Sequence, residues 1–197
     1  MWFFLVLAFI ALIITLVAVK IFNELVVLRN SFNNAFKQID VQLKRRYDLI
    51  PNLVEAVKGY MKFERDTLEA VIKARNTAVS VSQQAALKPG DPAKMKDLGS
   101  ANSALSETLG RLMAVVEAYP ELKANQNMSM LMEELNSTEN RIAFARQAFN
   151  DTVMEYNITR EKFPNNFVSG PFGFEAAALL DSTSSPQERE GVKISFA

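Results

Sequence analysis

The chain begins with an apolar run long enough to cross a lipid bilayer. Residues 2–19 carry no charge, and Thr15 is the one polar side chain among them. At about 1.5 Å of rise per residue, a helix of this run covers about 27 Å, and continuing it to Phe22 gives about 31 Å. The run therefore predicts a transmembrane anchor over residues 1–22, with the rest of the chain folded outside the lipid.

The main alternative to an anchor is a cleaved signal peptide. No Lys or Arg precedes the apolar run, and no small-x-small cleavage pattern follows it, so we favour a retained single-pass helix. A lipoprotein would need a cysteine, and the chain has none. Trp2 suits one membrane interface, and Lys20 can extend to the headgroups of the other. The predicted anchor residues are Trp2, Phe3, Phe4, Leu16, Val19 and Lys20.

Composition argues against several classes of function. The 22 basic and 22 acidic residues cancel, whereas a nucleic-acid-binding protein usually presents a basic face. The absence of His removes the commonest general base and most zinc sites, and the absence of Cys removes thiol nucleophiles and disulfides. We therefore predict no enzyme activity, no cofactor and no nucleic-acid partner. A hydrolase that uses carboxylates alone is the remaining enzyme hypothesis.

Apolar positions beyond the anchor recur in alternating steps of four and three, a heptad pattern that predicts a continuing amphipathic helix. These positions are Ile21, Leu25, Leu28, Phe32, Ala35 and Ile39. The basic residues 44–46 are interpreted as a solvated helix end. Pro51 lacks an amide hydrogen and disfavours helical geometry before it, so a break or sharp kink is expected there.

Further seams and turn signals predict an all-α fold. Residues 88–92 (KPGDP) form a clear loop, in which Asp91 caps a helix that begins at Pro92. The predicted architecture is an up-and-down bundle of four long antiparallel helices within residues 23–162, following the transmembrane helix. Their expected bounds are about 23–47, 52–86, 92–118 and 128–162.

The C-terminal part mixes turn-forming residues with large aromatic ones. We expect residues 163–180 to be a partly irregular docking segment, with a short helix possible at 175–180, and residues 181–197 to be a flexible tail. Residues 192–196 alternate like a strand, but a frayed end is favoured. Because the fourth helix returns towards the bilayer, the Phe-rich segment is expected at the membrane surface. The candidate docking or partner-binding residues are Tyr156, Asn157, Phe163, Pro164, Asn165, Asn166, Phe167, Phe172, Gly173 and Phe174.

Two other patterns have a chemical and a structural interpretation. Glu133 and Glu134 resemble a metal or acid–base pair, yet bundle carboxylate sites normally include His, so a solvated face is favoured. Met128, Met130 and Met132 have a spacing that Cu(I) sites use, but alternate helical residues point to different faces and Met commonly fills core gaps. We therefore predict packing and no metal.

Four stretches of the chain resemble the LemA family: RRYDLIPNLVEAVKGYMKFE, AYPELKANQN, EELNSTENRIAFARQAFNDTVMEYN and KFPNNFVSGPFGF. The resemblance implies a single-pass bacterial membrane protein with a bundle of long helices, and it brings no agreed catalytic residue. Some members are linked with membrane proteases or envelope stress, and relatives take part in making or shaping internal membranes. The chain departs from many relatives at Pro171, where they carry Leu, and at residues 175–180, where they carry aromatic residues.

These observations favour a membrane-anchored scaffold that self-associates into a homo-oligomer. The alternative is an adaptor that presents clients to a membrane protease or signalling partner. Lys20, Arg29 and Lys37 follow the apolar run, so the positive-inside rule predicts a cytoplasmic bundle at a bacterial inner membrane. The exterior or periplasmic side stays open, because a chain without cysteine fits either compartment.

Overall fold

One helix runs from the apolar N-terminus to the far end of the bundle. The computed structural model describes residues 1–60, 64–123 and 125–181, and this helix, α1, spans Trp2–Lys58. Its apolar N-terminal part is long and hydrophobic enough to cross a membrane, and none of that part is covered by other helices. The first buried side chain is Ile21, so packing within the protein begins where the apolar run ends.

The remaining helices confirm the predicted all-α fold, since the described residues contain no strand. They are α2 (Arg65–Leu87), α3 (Pro92–Val116), α4 (Pro120–Lys123), α5 (Gln126–Glu161) and α6 (Asn166–Ser169). The α3 start is as predicted: Asp91 accepts hydrogen bonds from the backbone N–H groups of Ala93 and Lys94, which the first turn of a helix leaves unpaired. Most of the predicted flexible tail, including residues 192–196 with their strand-like alternative, lies outside the described residues.

The long helices pack in pairs: α5 returns along α1, α2 packs against α3, and α2 also contacts α1. The core contains the predicted α1 seam: Ile21, Leu25, Phe32 and Ile39 are buried, while Leu28 and Ala35 pack against them half-buried. Phe149 on α5 contacts Phe32 and Phe36 of α1 edge to face, at ring-centroid distances of 6.4 and 5.6 Å. The heptad seams are therefore used inside the monomer.

Of the break or sharp kink predicted at Pro51, the break is wrong, because α1 continues through this proline to Lys58, and the kink stays a prediction. Pro51 lacks the N–H that would bond the carbonyl of Tyr47, one turn earlier. Arg75 of α2 supplies the missing donor, since its Nε donates to that carbonyl at 3.1 Å. The chain reverses instead between Lys58 and Arg65, starting at Gly59, a residue type of low helix propensity. The first predicted helix boundary is thus about eleven residues too early (Tyr47 against Lys58).

Arg75→Ala is expected to lower the free energy of unfolding by about 1 kcal/mol, because it leaves the Tyr47 carbonyl without its charged donor. The loss should shrink in a Pro51→Ala background, where the backbone regains an N–H at this position. A double-mutant cycle from urea titrations in mild detergent measures the coupling. Lys73→Ala, at an exposed position of the same helix, is the control. Equal losses in both backgrounds would contradict the proposed compensation.

Candidate interaction site

The chain after α6 lies extended along the bundle. Residues 174–181, here called the strap, contain no helix, so the short helix considered at 175–180 is wrong. Phe174, Ala177 and Leu180 are buried at three-residue intervals along the strap. Its backbone groups bond to side chains and backbone of the bundle instead of to one another, which removes the usual reason for a helix to form.

Two asparagines of α5 hold the strap by its backbone. Asn157 donates from Nδ2 to the Ala177 carbonyl at 2.8 Å, and its Oδ1 accepts from the Ala177 N–H at 3.0 Å. Asn150 makes the same pair of bonds with Leu180, at 3.2 and 2.9 Å. Seven residues of helix rise about 10.5 Å, and three residues of extended chain cover about 10 Å. The two spacings therefore match, so both amides bind the strap in one register.

The loop between α2 and α3 closes the strap from another side. The Ala178 N–H of the strap donates to the Gly90 carbonyl of this loop at 2.7 Å. Tyr156 of α5 adds a further bond, since its hydroxyl donates to the Glu175 carbonyl at 2.9 Å. Gly90 has a φ of 81°, and a Cβ built on it would lie 2.9 Å from the Cβ of Ala177. A side chain at this position would therefore be strained and would also collide with the strap.

The start of the strap is fixed to α1 just beyond the apolar run. Phe174 is only 3% exposed, and its ring contacts that of Phe22 at a centroid distance of 5.4 Å. The Arg29 guanidinium lies over the same ring, 5.0 Å from its centroid, in a cation–π contact. Gly173, with a φ of 70°, provides the left-handed turn that leads into this position.

The predicted docking residues therefore divide into two groups. Tyr156, Asn157 and Phe174 hold the strap, and Asn165 donates from Nδ2 to the Thr159 carbonyl at 2.9 Å, closing the end of α5. A second group is exposed and makes up the outer surface of the turn: Phe163, Pro164, Asn166, Phe167, Phe172 and Gly173. The Phe163–Pro164 peptide bond is cis. Binding of a partner by this surface stays a prediction.

Sequence reasoning missed Asn150 and Gly90. The spacing of Asn150 and Asn157, two turns apart on one helix face, was a usable signal. It gave no indication of which segment the two amides bind, because residues 163–180 are predicted only as a partly irregular segment, with a short helix possible at 175–180.

The basic residues 44–46 do not mark a helix end, since α1 continues to Lys58. Lys44 and Arg45 are exposed, as predicted, but Arg46 is buried in the middle of the bundle. Its Nη1 lies 3.1 Å from a Glu139 carboxylate oxygen of α5, and its Nη2 donates to the Ser106 hydroxyl of α3 at 2.7 Å. Burial lowers the pKa of the Arg46 guanidinium, and the Glu139 charge opposes that change. A cavity of about 320 Å³ adjoins this triad between α1, α3 and α5. Because α1 does not end at these residues, there is no helix C-terminus here whose partial negative charge could favour them.

The acidic pair and the methionine run, which were weighed above as possible metal sites, show ordinary helix contacts and packing. Glu134 forms an ion pair with Arg45 across the α1–α5 interface. Met128 is buried, whereas Met130 is 61% exposed, so the alternate methionines face different directions, as expected on a helix. Among the residues that the structure describes, no group of three or more acidic side chains is placed to hold a metal ion.

Together these features define an all-helical protein whose first helix carries an exposed apolar segment of membrane-spanning length at its N-terminus. The model of the LemA family matches residues 35–196, and the chain belongs to that family. The sequence resemblance is thereby confirmed.

Named relatives are 26–28% identical to the chain over the aligned regions. It is 28% identical to magnetosome protein MamQ 2 of Paramagnetospirillum magneticum over 79% of this chain and 63% of that protein. It is 27% identical to magnetosome protein MamQ of Magnetospirillum gryphiswaldense, over 86% of this chain and 67% of that protein. It is 26% identical to protein LemA of Metamycoplasma hominis, over 82% and 69% respectively. The chain thus spans about two thirds of the length of these curated relatives.

Proposed function

We propose that this chain is a membrane-anchored helical scaffold that self-associates and, through its assembly, organises or shapes a membrane or a membrane complex. Contact, not turnover of a substrate, is its mode of action. The proposal combines the bare apolar segment of α1 with apolar side chains that stay exposed on the outer surface of the bundle.

The observation that best supports self-association is an exposed apolar stripe along α5, defined by Met130, Phe144 and Ile158. These residues are 61%, 74% and 46% exposed and lie fourteen positions apart. Each such step of two heptads turns the position by about 40° on a straight helix, so the three stay on one side of α5. Met154, one turn before Ile158, extends the stripe and is 54% exposed. Large apolar side chains repeated along one exposed face are typical of a protein–protein contact.

A second copy of the chain is the occupant that best fits this stripe. Copies anchored in one bilayer share orientation and depth, so their stripes face each other at the same height and at high effective concentration. Ser137 and Asp151 lie at the intervening heptad positions, so each contact is expected to be modest. Where each stripe meets the same stripe of a neighbour the contact closes a dimer, so a ring or array needs a second contact on another face of the bundle. We place the bundle on the cytoplasmic side, which protease protection in spheroplasts would check.

The test is the mass of the intact protein in mild detergent, measured by light scattering with the detergent contribution subtracted. We expect a multiple of the 22.1 kDa protomer for the wild type and a shift to the protomer mass for Phe144→Ser combined with Ile158→Ser. Leu87→Ser, at an 82% exposed apolar position on α2, is the matched control and should leave the mass unchanged. A wild-type protomer would overturn self-association, and a loss of mass in the control would show that the stripe is not the contact.

A further inference from the structure

Three phenylalanines are exposed together at the end of the bundle nearest the apolar run. Phe163, Phe167 and Phe172, here called the Phe foot, are 81%, 70% and 60% exposed. The Phe163 and Phe167 rings meet edge to face at a centroid distance of 5.9 Å, so the two side chains form one apolar knob. Phe172 reaches the ring of Phe22 on α1 at 5.4 Å.

The height of the Phe foot follows from its contact with α1. Phe22 lies two residues beyond Lys20, and the first buried side chain of α1, Ile21, immediately precedes it. The uncovered part of α1 ends at this level, so a bilayer around that part would have its surface here. The knob is carried by the turn after α5 and by α6, and α6 packs against both α1 and α5.

The chemistry of the surface matches a lipid headgroup boundary. Phe side chains bury favourably at the junction of headgroups and acyl chains, whereas three exposed Phe on one short solvated turn are unfavourable in water. Lys20 and Lys162 are exposed beside the foot and can reach lipid phosphates. A protein partner would also have to approach at membrane level, where lipid is already present at high concentration.

We propose that the Phe foot is a second membrane contact, inserted into the headgroup boundary of the leaflet from which α1 emerges. The proposal rests on the membrane anchor stated above. Two attachment points limit the tilt of the bundle relative to the membrane plane, which a single helix leaves free. The α5 stripe is then held at a constant height above the bilayer, where the stripes of neighbouring copies also lie.

Tryptophan fluorescence in vesicles can test the foot and the anchor separately. Trp2 is the chain's one tryptophan, so the wild type reports on the anchor alone. W2F/F167W reports on the foot, and W2F/F144W is the matched control, because Phe144 is a similarly exposed Phe on α5 about 25 Å further along the helix axis. Each protein is reconstituted into phosphatidylcholine–phosphatidylglycerol vesicles with acyl chains brominated either near the headgroup or near the chain end.

We expect the Trp2 emission of the wild type to be quenched. The W2F/F167W protein should lose about half of its emission with bromine near the headgroup, and less with bromine near the chain end. The W2F/F144W protein should keep its emission. If Trp2 is quenched and the F167W reporter is not, the proposed membrane contact of the Phe foot is wrong and the proposed anchor is still supported. An unquenched Trp2 overturns the anchor itself. Quenching of the F144W reporter as well would mean that the whole bundle lies on the bilayer, which also overturns a specific foot.

Discussion

Phe149→Ala is expected to lower the free energy of unfolding of the bundle by about 3–5 kcal/mol, the largest stability effect of any substitution considered. The Phe149 side chain is fully buried and contacts two rings of α1, Phe32 and Phe36. Truncation removes its buried apolar surface, both edge-to-face contacts and the volume that keeps α1 and α5 together. The neighbours are large and belong to long helices, so they can fill the cavity only in part.

A urea titration in mild detergent, followed by circular dichroism, measures this loss as a fall in the transition midpoint. The control is Leu87→Ala, truncation of an apolar side chain that is 82% exposed on α2 and lies outside the α5 stripe. Its effect should stay below about 0.5 kcal/mol. Similar losses for the two variants would mean that the α1–α5 interface is not where the core lies.

Asn150→Ala combined with Asn157→Ala is expected to release the strap from the bundle while the helices stay folded. The two side chains make four hydrogen bonds to the strap, each contributing about 0.5–1.5 kcal/mol net. The Ala177 and Leu180 amides lose their acceptors directly. Their hydrogen exchange should accelerate by about a hundredfold or more, because strap opening becomes the easiest local unfolding event.

Hydrogen exchange read out by mass spectrometry separates strap release from general unfolding, since peptides from the α1–α5 core should keep their protection. Asn140→Ala, an exposed asparagine on the same helix, is the matched control and should leave the strap protected. Asn157→Asp keeps an acceptor for the Ala177 N–H but loses the donor to its carbonyl, so an intermediate acceleration is expected. An unchanged strap in the double variant would show that the two asparagines are not needed, and that the burial of Phe174, Ala177 and Leu180 and the remaining hydrogen bonds hold the strap.

The success and failure of the sequence predictions follow the range of the interactions involved. The start of α3 was predictable because Asp91 caps its own first turn, within three residues. The continuation of α1 through Pro51 was not, because the compensating donor, Arg75, comes from another helix 28 residues after the carbonyl it satisfies. The helix propensity of proline alone predicts an interruption at Pro51. The contact with Arg75 satisfies the carbonyl that proline leaves unpaired, and α1 continues.

The candidate site shows the same division. Its aromatic and turn-forming residues marked 163–174 as more than a solvated loop, and the asparagines of α5 were available to pair with backbone groups. The strap's extended form depends on Asn150, Asn157 and Gly90 together, which are separated from it by about 20 to 90 residues. No local pattern in 174–181 specifies it.

From the sequence alone follow the apolar run of membrane-spanning length, the helical seams, the α3 cap and the absence of His and Cys chemistry. Each is a property of neighbouring residues or of composition, and it holds however the helices are arranged. Only the tertiary structure decides that the seams close within one monomer, that Arg46 is buried with Glu139 and Ser106, and that Phe163, Phe167 and Phe172 stay outside. The physical reason is that burial and the pairing of backbone groups depend on which distant surfaces meet, and helical periodicity specifies a face without specifying what covers it.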